Sequence, residues 1–194
     1  MRKRLLFFPA ILVMTLACGG DDNDSSVISV TEITLNKTDL TLMTGERETI
    51  TAIVRPLNAT DRTLYWTSSD ADTAAVTDSG LVIANKPGNA VITATTYDRG
   101  LNATCSVTTL PVDVTGVTIN KTTLTLAAGA GETLIAAVEP VNATNKAITW
   151  ASSNPSIATV SQYGIVLAYR TGQTTITVTT EDGGKTATCR LTVL

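Results

Sequence analysis

The 194-residue sequence contains no histidine, and aromatic residues make up only 4% of it. Histidine is the most common general base of enzymes and a frequent metal ligand, so its absence argues against catalysis that depends on an imidazole. Lysine and arginine total 14 against 17 acidic residues. A chain with this balance lacks the basic surface that nucleic acids require. No apolar stripe has the 3.6-residue spacing of a long helix.

Threonine, valine and isoleucine are abundant instead, and β-branched residues favour strands. The composition therefore predicts an all-β protein.

The first residues have the pattern of an export signal. Three basic residues at positions 2–4 precede an apolar run over residues 5–17. That run is shorter than the roughly 20 residues that a membrane-spanning helix needs. We therefore predict a cleaved signal peptide over residues 1–17. Its removal would leave the chain more acidic.

The four residues ending in Cys18 resemble the lipobox of bacterial lipoproteins, although Thr15 stands where leucine is usual. The resemblance implies that Cys18 is lipidated and that the chain meets a membrane through this anchor only. Residues 18–28 form an acidic stretch without apolar periodicity, which is typical of a flexible tether. The acidic run resembles the surface-export signal of Bacteroidetes-type lipoproteins, but a plain charged spacer explains it equally well. The expected location is the outer membrane of a bacterial cell envelope, with the chain exposed at the surface.

The rest of the sequence is an internal duplication. Residues 30–110 align with residues 114–194 at a constant offset of 84, without a gap and with 38 identities in 81 positions. A match that keeps register over this length indicates a duplicated domain. We therefore predict domain 1 over residues 29–110 and domain 2 over residues 113–194, joined by a short linker.

Each copy contains short Val, Ile and Thr runs separated by Gly, Asn or Pro, which is typical of a two-sheet sandwich. The strands predicted for domain 1 are residues 30–35, 40–42, 49–54, 64–67, 74–77, 81–84, 90–96 and 103–108.

Alternation along the strands predicts the core. Ile50, Ala52 and Val54 share one parity and should face inward, because successive side chains on a strand point to opposite faces. Trp66 and Trp150 should fill the sandwich centres, with a sugar-stacking platform as the alternative.

Several runs in domain 2 resemble the bacterial Ig-like group 2 domain. They are residues 117–121, 124–126, 138–140, 142–144, 150–154, 158–160 and 186–189, and domain 1 repeats most of the pattern. The family is similar to domains of intimin- and invasin-type adhesins. The resemblance implies two tandem immunoglobulin-like β-sandwich domains without enzyme activity or cofactor, and it implies no particular ligand.

Candidate sites in the two copies are few. Cys105 and Cys189 occupy equivalent positions in separate domains, so we predict buried free thiols rather than a disulfide. Asp70 and Asp72 allow a calcium site in domain 1, although a solvated loop explains them too. Thr73 lies in a triplet that resembles an O-glycosylation site of Bacteroidetes proteins.

Two functions fit these features. The first is adhesion or recognition of a protein or glycan through loops at the outer end of domain 2. The second is a structural spacer or accessory subunit that docks onto another envelope protein. A glycan hydrolase would need a carboxylate pair that the duplication does not repeat. The predicted contact residues are Asn142, Asn145, Lys146, Asn154 and Ser156.

Overall fold

The computed structural model describes residues 26–194, and these residues form two units of nine strands each. Domain 1 contains β1 (Glu32–Leu35), β2 (Asp39–Met43), β3 (Arg47–Thr49), β4 (Ala52–Arg55), β5 (Leu64–Ser68), β6 (Ala74–Val76), β7 (Leu81–Ala84), β8 (Gly88–Thr96) and β9 (Asn102–Leu110). Domain 2 contains β10 (Gly116–Ile119), β11 (Thr123–Leu126), β12 (Gly131–Thr133), β13 (Ala136–Glu139), β14 (Ile148–Ser152), β15 (Ala158–Val160), β16 (Ile165–Ala168), β17 (Gly172–Thr180) and β18 (Thr186–Val193).

Each domain has a four-stranded sheet, a three-stranded sheet and a two-stranded pair. In domain 1 the orders are β2-β9-β8-β5, β3-β7-β6 and β1-β4. Domain 2 repeats them as β11-β18-β17-β14, β12-β16-β15 and β10-β13. The edge strands β2 and β11 run parallel to β9 and β18, and all other pairs are antiparallel. The prediction of two all-β, immunoglobulin-like sandwiches is confirmed.

The core of each domain lies between its two larger sheets, because alternate residues of both sheets point inward. Fully buried side chains recur at equivalent positions, and the duplication therefore extends to the interior. The pairs include Ile50 and Leu134, Val82 and Val166, Ile92 and Ile176, and Cys105 and Cys189.

The strand predicted over residues 49–54 is two strands, β3 and β4, which belong to different sheets. The chain changes sheets at Ile50 and Thr51. The Ile50 N–H donates to the Gly80 carbonyl, while the Thr51 N–H donates to Asn36 Oδ1 over 2.9 Å. The parity prediction holds across the break, since Ile50 and Val54 are both buried and Ala52 is half-buried.

The hydrogen-bonded part of domain 1 begins at Ile28, one residue before the predicted start of the domain at residue 29. The Ile28 N–H donates to Thr60 Oγ1 over 2.9 Å, and the Ile28 carbonyl accepts the Thr60 N–H. The Val30 N–H then donates to Asp98 Oδ2 over 2.6 Å. These bonds attach the first residues to the sandwich, so Ile28 is not part of a free tether.

Domain 2 begins in the same way, which shortens the predicted linker to one residue. Val112 exchanges hydrogen bonds with Thr144, and the Val114 N–H donates to Asp182 Oδ2 over 2.8 Å. Leu110 still belongs to β9. Only Pro111 therefore lies between the hydrogen-bonded segments of the two domains.

Candidate functional site

The predicted contact loops of domain 2 lie at opposite ends of the domain. Asn142, Asn145 and Lys146 flank Thr144, which binds the linker segment at Val112. The loop of Asn154 and Ser156 lies at the other end, where the Asn154 N–H donates to Thr174 Oγ1 near the start of β17. A nine-residue strand separates the ends by roughly 25–30 Å. All five residues are exposed, but they do not form one surface.

The prediction that both loops are outermost is therefore wrong for the first one, which adjoins the linker. The two loops are close in the sequence, but β14 lies between them and places them at opposite ends of the domain. Only the loop over residues 154–156 is at the end where the last strand finishes. Ligand binding by that loop stays a prediction.

Thr73 is buried, with 2% of its surface exposed, and its hydroxyl donates to Asp70 Oδ2 over 2.7 Å. Gly88 lies against it, since a Cβ at that glycine would be 3.0 Å from Thr73 Oγ1. A glycan on this oxygen would have to displace both contacts. The folded domain therefore does not expose the Thr73 hydroxyl, which argues against O-glycosylation there, and modification of this residue stays a prediction. A three-residue sequence pattern contains no information about whether its threonine is buried.

Asp70 stabilises the turn that follows β5. Asp70 Oδ1 accepts the N–H groups of Asp72 and Thr73, and Oδ2 accepts the Thr73 hydroxyl. The hydrogen bonds from the Thr73 side chain and backbone lower the pKa of the Asp70 carboxyl. Asp72 forms an exposed ion pair of 3.3 Å with Lys86. Both carboxylates thus have partners within the fold, and no group of three His, Cys, Asp or Glu residues that could hold a metal occurs in residues 26–194.

Cys105 and Cys189 are free and fully buried, as predicted. Burial raises the pKa of both thiols. A protonated, inaccessible thiol is a poor nucleophile, so both side chains serve as small apolar core residues. Cys18 lies outside the described residues, and its lipidation stays a prediction. No helix capable of crossing a membrane occurs in the described part of the chain.

Trp66 and Trp150 pack against the cores of their domains but are only half-buried. Each ring lies against a glycine, Gly80 or Gly164, whose added Cβ would approach within 3.0 or 3.1 Å of Cζ2. The prediction that both tryptophans pack in the domain cores is therefore confirmed, but neither side chain is completely buried. Trp150 also lines a shallow depression together with Tyr163.

An exposed apolar surface on domain 2 was missed by the sequence reasoning. It lies on the outer face of the three-stranded sheet and the adjoining turns, and we call it the apolar strip. Its members, with their exposed fractions, are Ile135 (62%), Tyr163 (74%), Ile165 (44%), Leu167 (45%) and Tyr169 (52%).

The signal for this strip was present in the alignment of the two copies. Domain 1 has Thr51, Ser79 and Asn85 at the positions of Ile135, Tyr163 and Tyr169. The polar counterparts show that the fold itself does not require apolar side chains at these outer positions.

The geometry above agrees with comparisons to known proteins. A sequence model of the family Bacterial Ig-like domain (group 2) matches residues 29–107 and again residues 113–191. The chain belongs to this family.

Relatives of this bacterial Ig-like chain include an Ig-like virion protein of Serratia phage KSP90. It is 37% identical over 174 residues, which cover 88% of this chain and 67% of the phage protein. An uncharacterised protein of Clostridium acetobutylicum is 33% identical over 187 residues. That match covers 93% of this chain but only 19% of the Clostridium protein, so the chain spans about a fifth of that relative.

Among solved structures, domains 4 and 5 of the S-layer protein SbsC superpose with a TM-score of 0.42 and 20% identity. The superposition covers 86% of this chain and 99% of the SbsC fragment.

Proposed function

We propose that this chain is a non-catalytic lipoprotein of the bacterial outer membrane whose Ig-like domains recognise a protein or glycan outside the cell. In this proposal the lipid on Cys18 is the only membrane contact. The tether ends before Ile28, where the first hydrogen bonds to domain 1 form. The end of domain 2 that carries Asn154 and Ser156 lies opposite the end that joins domain 1.

The observation that carries this proposal is the contrast between a repeated interior and altered loops. Core residues recur at equivalent positions in both domains. The exposed loop at the outer end differs, with residues 70–72 reading Asp-Ala-Asp and residues 154–156 reading Asn-Pro-Ser. Loops on a rigid scaffold commonly carry recognition because their sequence can change without loss of the core.

Binding should be measured with cells that display the full chain, applied to arrays of glycans and matrix proteins. We expect saturable binding to one ligand class, and a large loss when residues 154–156 are replaced by the Asp-Ala-Asp of domain 1. The matched control exchanges Asn145→Asp and Lys146→Arg at the linker end, which copies domain 1 there and should leave binding unchanged. A Cys18→Ser variant should lose both lipid incorporation and surface display.

A structural spacer is the second candidate, and the one-residue linker favours it. With only Pro111 between hydrogen-bonded segments, the chain can hold an attached partner at a defined distance. This function predicts no saturable binding on the arrays and co-purification of the full chain with another envelope protein. Loop exchange at residues 154–156 would then have no effect on binding.

A further inference from the structure

The apolar strip differs from scattered surface apolar residues because three of its members, Ile165, Leu167 and Tyr169, are alternate exposed residues along β16 and the position after it. Ile165 and Leu167 alternate along β16 with the buried Val166 and therefore point outward. Ile135 and Tyr163 line one depression beside the sheet. Five side chains that are about half exposed present several hundred Å², which is the size at which a patch on a monomer is often functional.

The positions that pair with the β16 members of the strip carry no charge. Leu167 lies over Gly131, since a Cβ at that glycine would be 2.9 Å from Leu167 Cδ2. The residues paired across from Ile165 and Leu167 are Thr133, Gly131 and Thr159, which carry no charge. In domain 1 the position of Gly131 is occupied by Arg47, which pairs with Ile83. The arginine makes the same face of domain 1 charged.

The order of residues in the strip points to its partner. Tyr163, Ile165, Leu167 and Tyr169 read nearly the same in both directions about Val166. If a two-fold axis reverses a second copy over this face, Tyr163 meets Tyr169 and Ile165 meets Leu167. A two-fold interface uses one surface twice and must therefore complement itself, which this row does.

Charge supports the same partner. The chain has a formal net charge of −3, which opposes self-association except where the contact surface carries no charge. The strip brings two copies together without placing like charges opposite one another. A glycan fits less well, because three of the five side chains are aliphatic. Moreover, the Tyr169 hydroxyl already lies 3.2 Å from Thr159 Oγ1.

We propose that two copies of this chain pair through the apolar strips of their second domains, with the β16 strands antiparallel. The strip is smaller than the roughly 800 Å² per partner of a standard stable interface, so the pairing is weak and reversible. This inference concerns domain 2 alone and does not depend on the lipid anchor or on the recognition of an outside ligand.

Cross-linking of the full chain in the cells that produce it tests the pairing. Leu167→Cys places a thiol near the two-fold axis, and a short bis-maleimide bridges two such thiols. The matched control is Ile83→Cys, the same position in domain 1. Cys105 and Cys189 are buried and contribute little background. We expect several-fold more covalent dimer from Leu167→Cys than from Ile83→Cys.

A second variant separates loss of pairing from loss of folding. Tyr163→Ser and Tyr169→Asn, added to Leu167→Cys, copy residues that domain 1 already carries on the same fold. Dimer yield should fall to the level of Ile83→Cys, while the purified variant keeps the circular dichroism spectrum and the cooperative urea unfolding of the parent chain. Equal dimer yields from Leu167→Cys and Ile83→Cys overturn the proposal. Cross-linking of Leu167→Cys to a different protein also overturns it, as does an unchanged dimer yield in the triple variant.

Discussion

The two domains of this chain agree inside and differ outside. Ile92 and Ile176 are fully buried at equivalent positions, as are Val82 and Val166, whereas Tyr163 replaces Ser79 on the surface. A buried side chain must fill a fixed space, so few substitutions are tolerated there. An exposed position carries no such constraint. The differences between the domains therefore mark where function can have diverged, while the agreements mark what the fold requires.

Smaller differences change chemistry without changing geometry. Asp61 and Asn145 each accept the N–H two residues ahead, as do Asp70 and Asn154. Domain 1 uses carboxylates in these turns and domain 2 uses amides. The same backbone is thus stabilised by a titratable group in one copy and by a neutral group in the other.

The strongest shared requirement is a glycine at the turn before the central strand of the three-stranded sheet, β7 in domain 1 and β16 in domain 2. Gly80 and Gly164 have φ of 78° and 77°, and an added Cβ would collide with the carbonyl of Ile50 or Leu134. We expect Gly80→Ala to destabilise domain 1, and Gly164→Ala domain 2, by about 2–3 kcal/mol each. Urea unfolding followed by the single tryptophan of each domain measures both, with Trp150→Phe or Trp66→Phe silencing the other domain.

Gly45 and Gly129 provide the matched controls. They also have positive φ, of 92° and 85°, but no atom lies within 4 Å of an added Cβ. Gly45→Ala and Gly129→Ala should therefore cost only the backbone strain, about 1 kcal/mol. If all four substitutions had equal effects, the collision would not be the cause of the larger loss.

The next prediction concerns a buried position at which the two domains carry different residues. Thr109 is buried, and its hydroxyl has no hydrogen-bond partner within the described residues, whereas its counterpart in domain 2 is Val193. Removing an unpaired buried hydroxyl while keeping its shape should stabilise a protein. We expect Thr109→Val to stabilise domain 1 by about 1 kcal/mol in urea unfolding, at the low end of that penalty.

The reciprocal substitution Val193→Thr places the same hydroxyl in domain 2, and domain 2 should lose about 1–2 kcal/mol. Thr108→Val serves as the control, because the Thr108 hydroxyl is bonded to Asn89 over 3.0 Å. If Thr108→Val stabilised domain 1 as much as Thr109→Val, the added methyl group would be responsible. The loss of an unpaired hydroxyl would then not be the cause.

The fold was predictable from the sequence because the alternation of apolar residues extends over many strands and occurs in both copies. Strand parity identified Ile50 and Val54 as core residues, and the duplication confirmed the pattern independently. The break at Thr51 was not predictable, since it depends on the Asn36 side chain replacing a backbone partner from 15 residues away. Local patterns cannot show such a contact.

Site predictions were weakest where they depended on neighbours in space. The burial of Thr73 arises from Asp70 and Gly88, and no triplet pattern contains that information. The positions of the two loops of domain 2 likewise follow from strand order. The apolar strip, by contrast, was accessible from the sequence, because comparing Tyr163 and Tyr169 with their polar counterparts in domain 1 reveals it without coordinates.

The smallest expected effect is a difference in acid sensitivity between the domains. Thr63, through its side chain and backbone, lowers the pKa of Asp61, and Thr73 does the same for Asp70, both from 3.8. A lowered folded-state pKa stabilises the domain above the unfolded-state pKa, and this contribution is lost as pH falls through the folded-state value. Below about pH 3.8, domain 1 should therefore lose stability that the neutral turns of domain 2 retain.

Exchanging the turn residues tests whether these two carboxylates are responsible. Asp61→Asn with Asp70→Asn should reduce the acid sensitivity of domain 1, because Asn keeps the hydrogen bonds to the turn and does not titrate. Asn145→Asp with Asn154→Asp should transfer part of that sensitivity to domain 2, although Ala147 and Ile157 occupy the positions of Thr63 and Thr73 and lack their hydroxyls. Acid titrations monitored by Trp66 or Trp150 separate the domains. If the sensitivity stayed with domain 1 in both exchanges, its cause would be the other carboxylates of that domain.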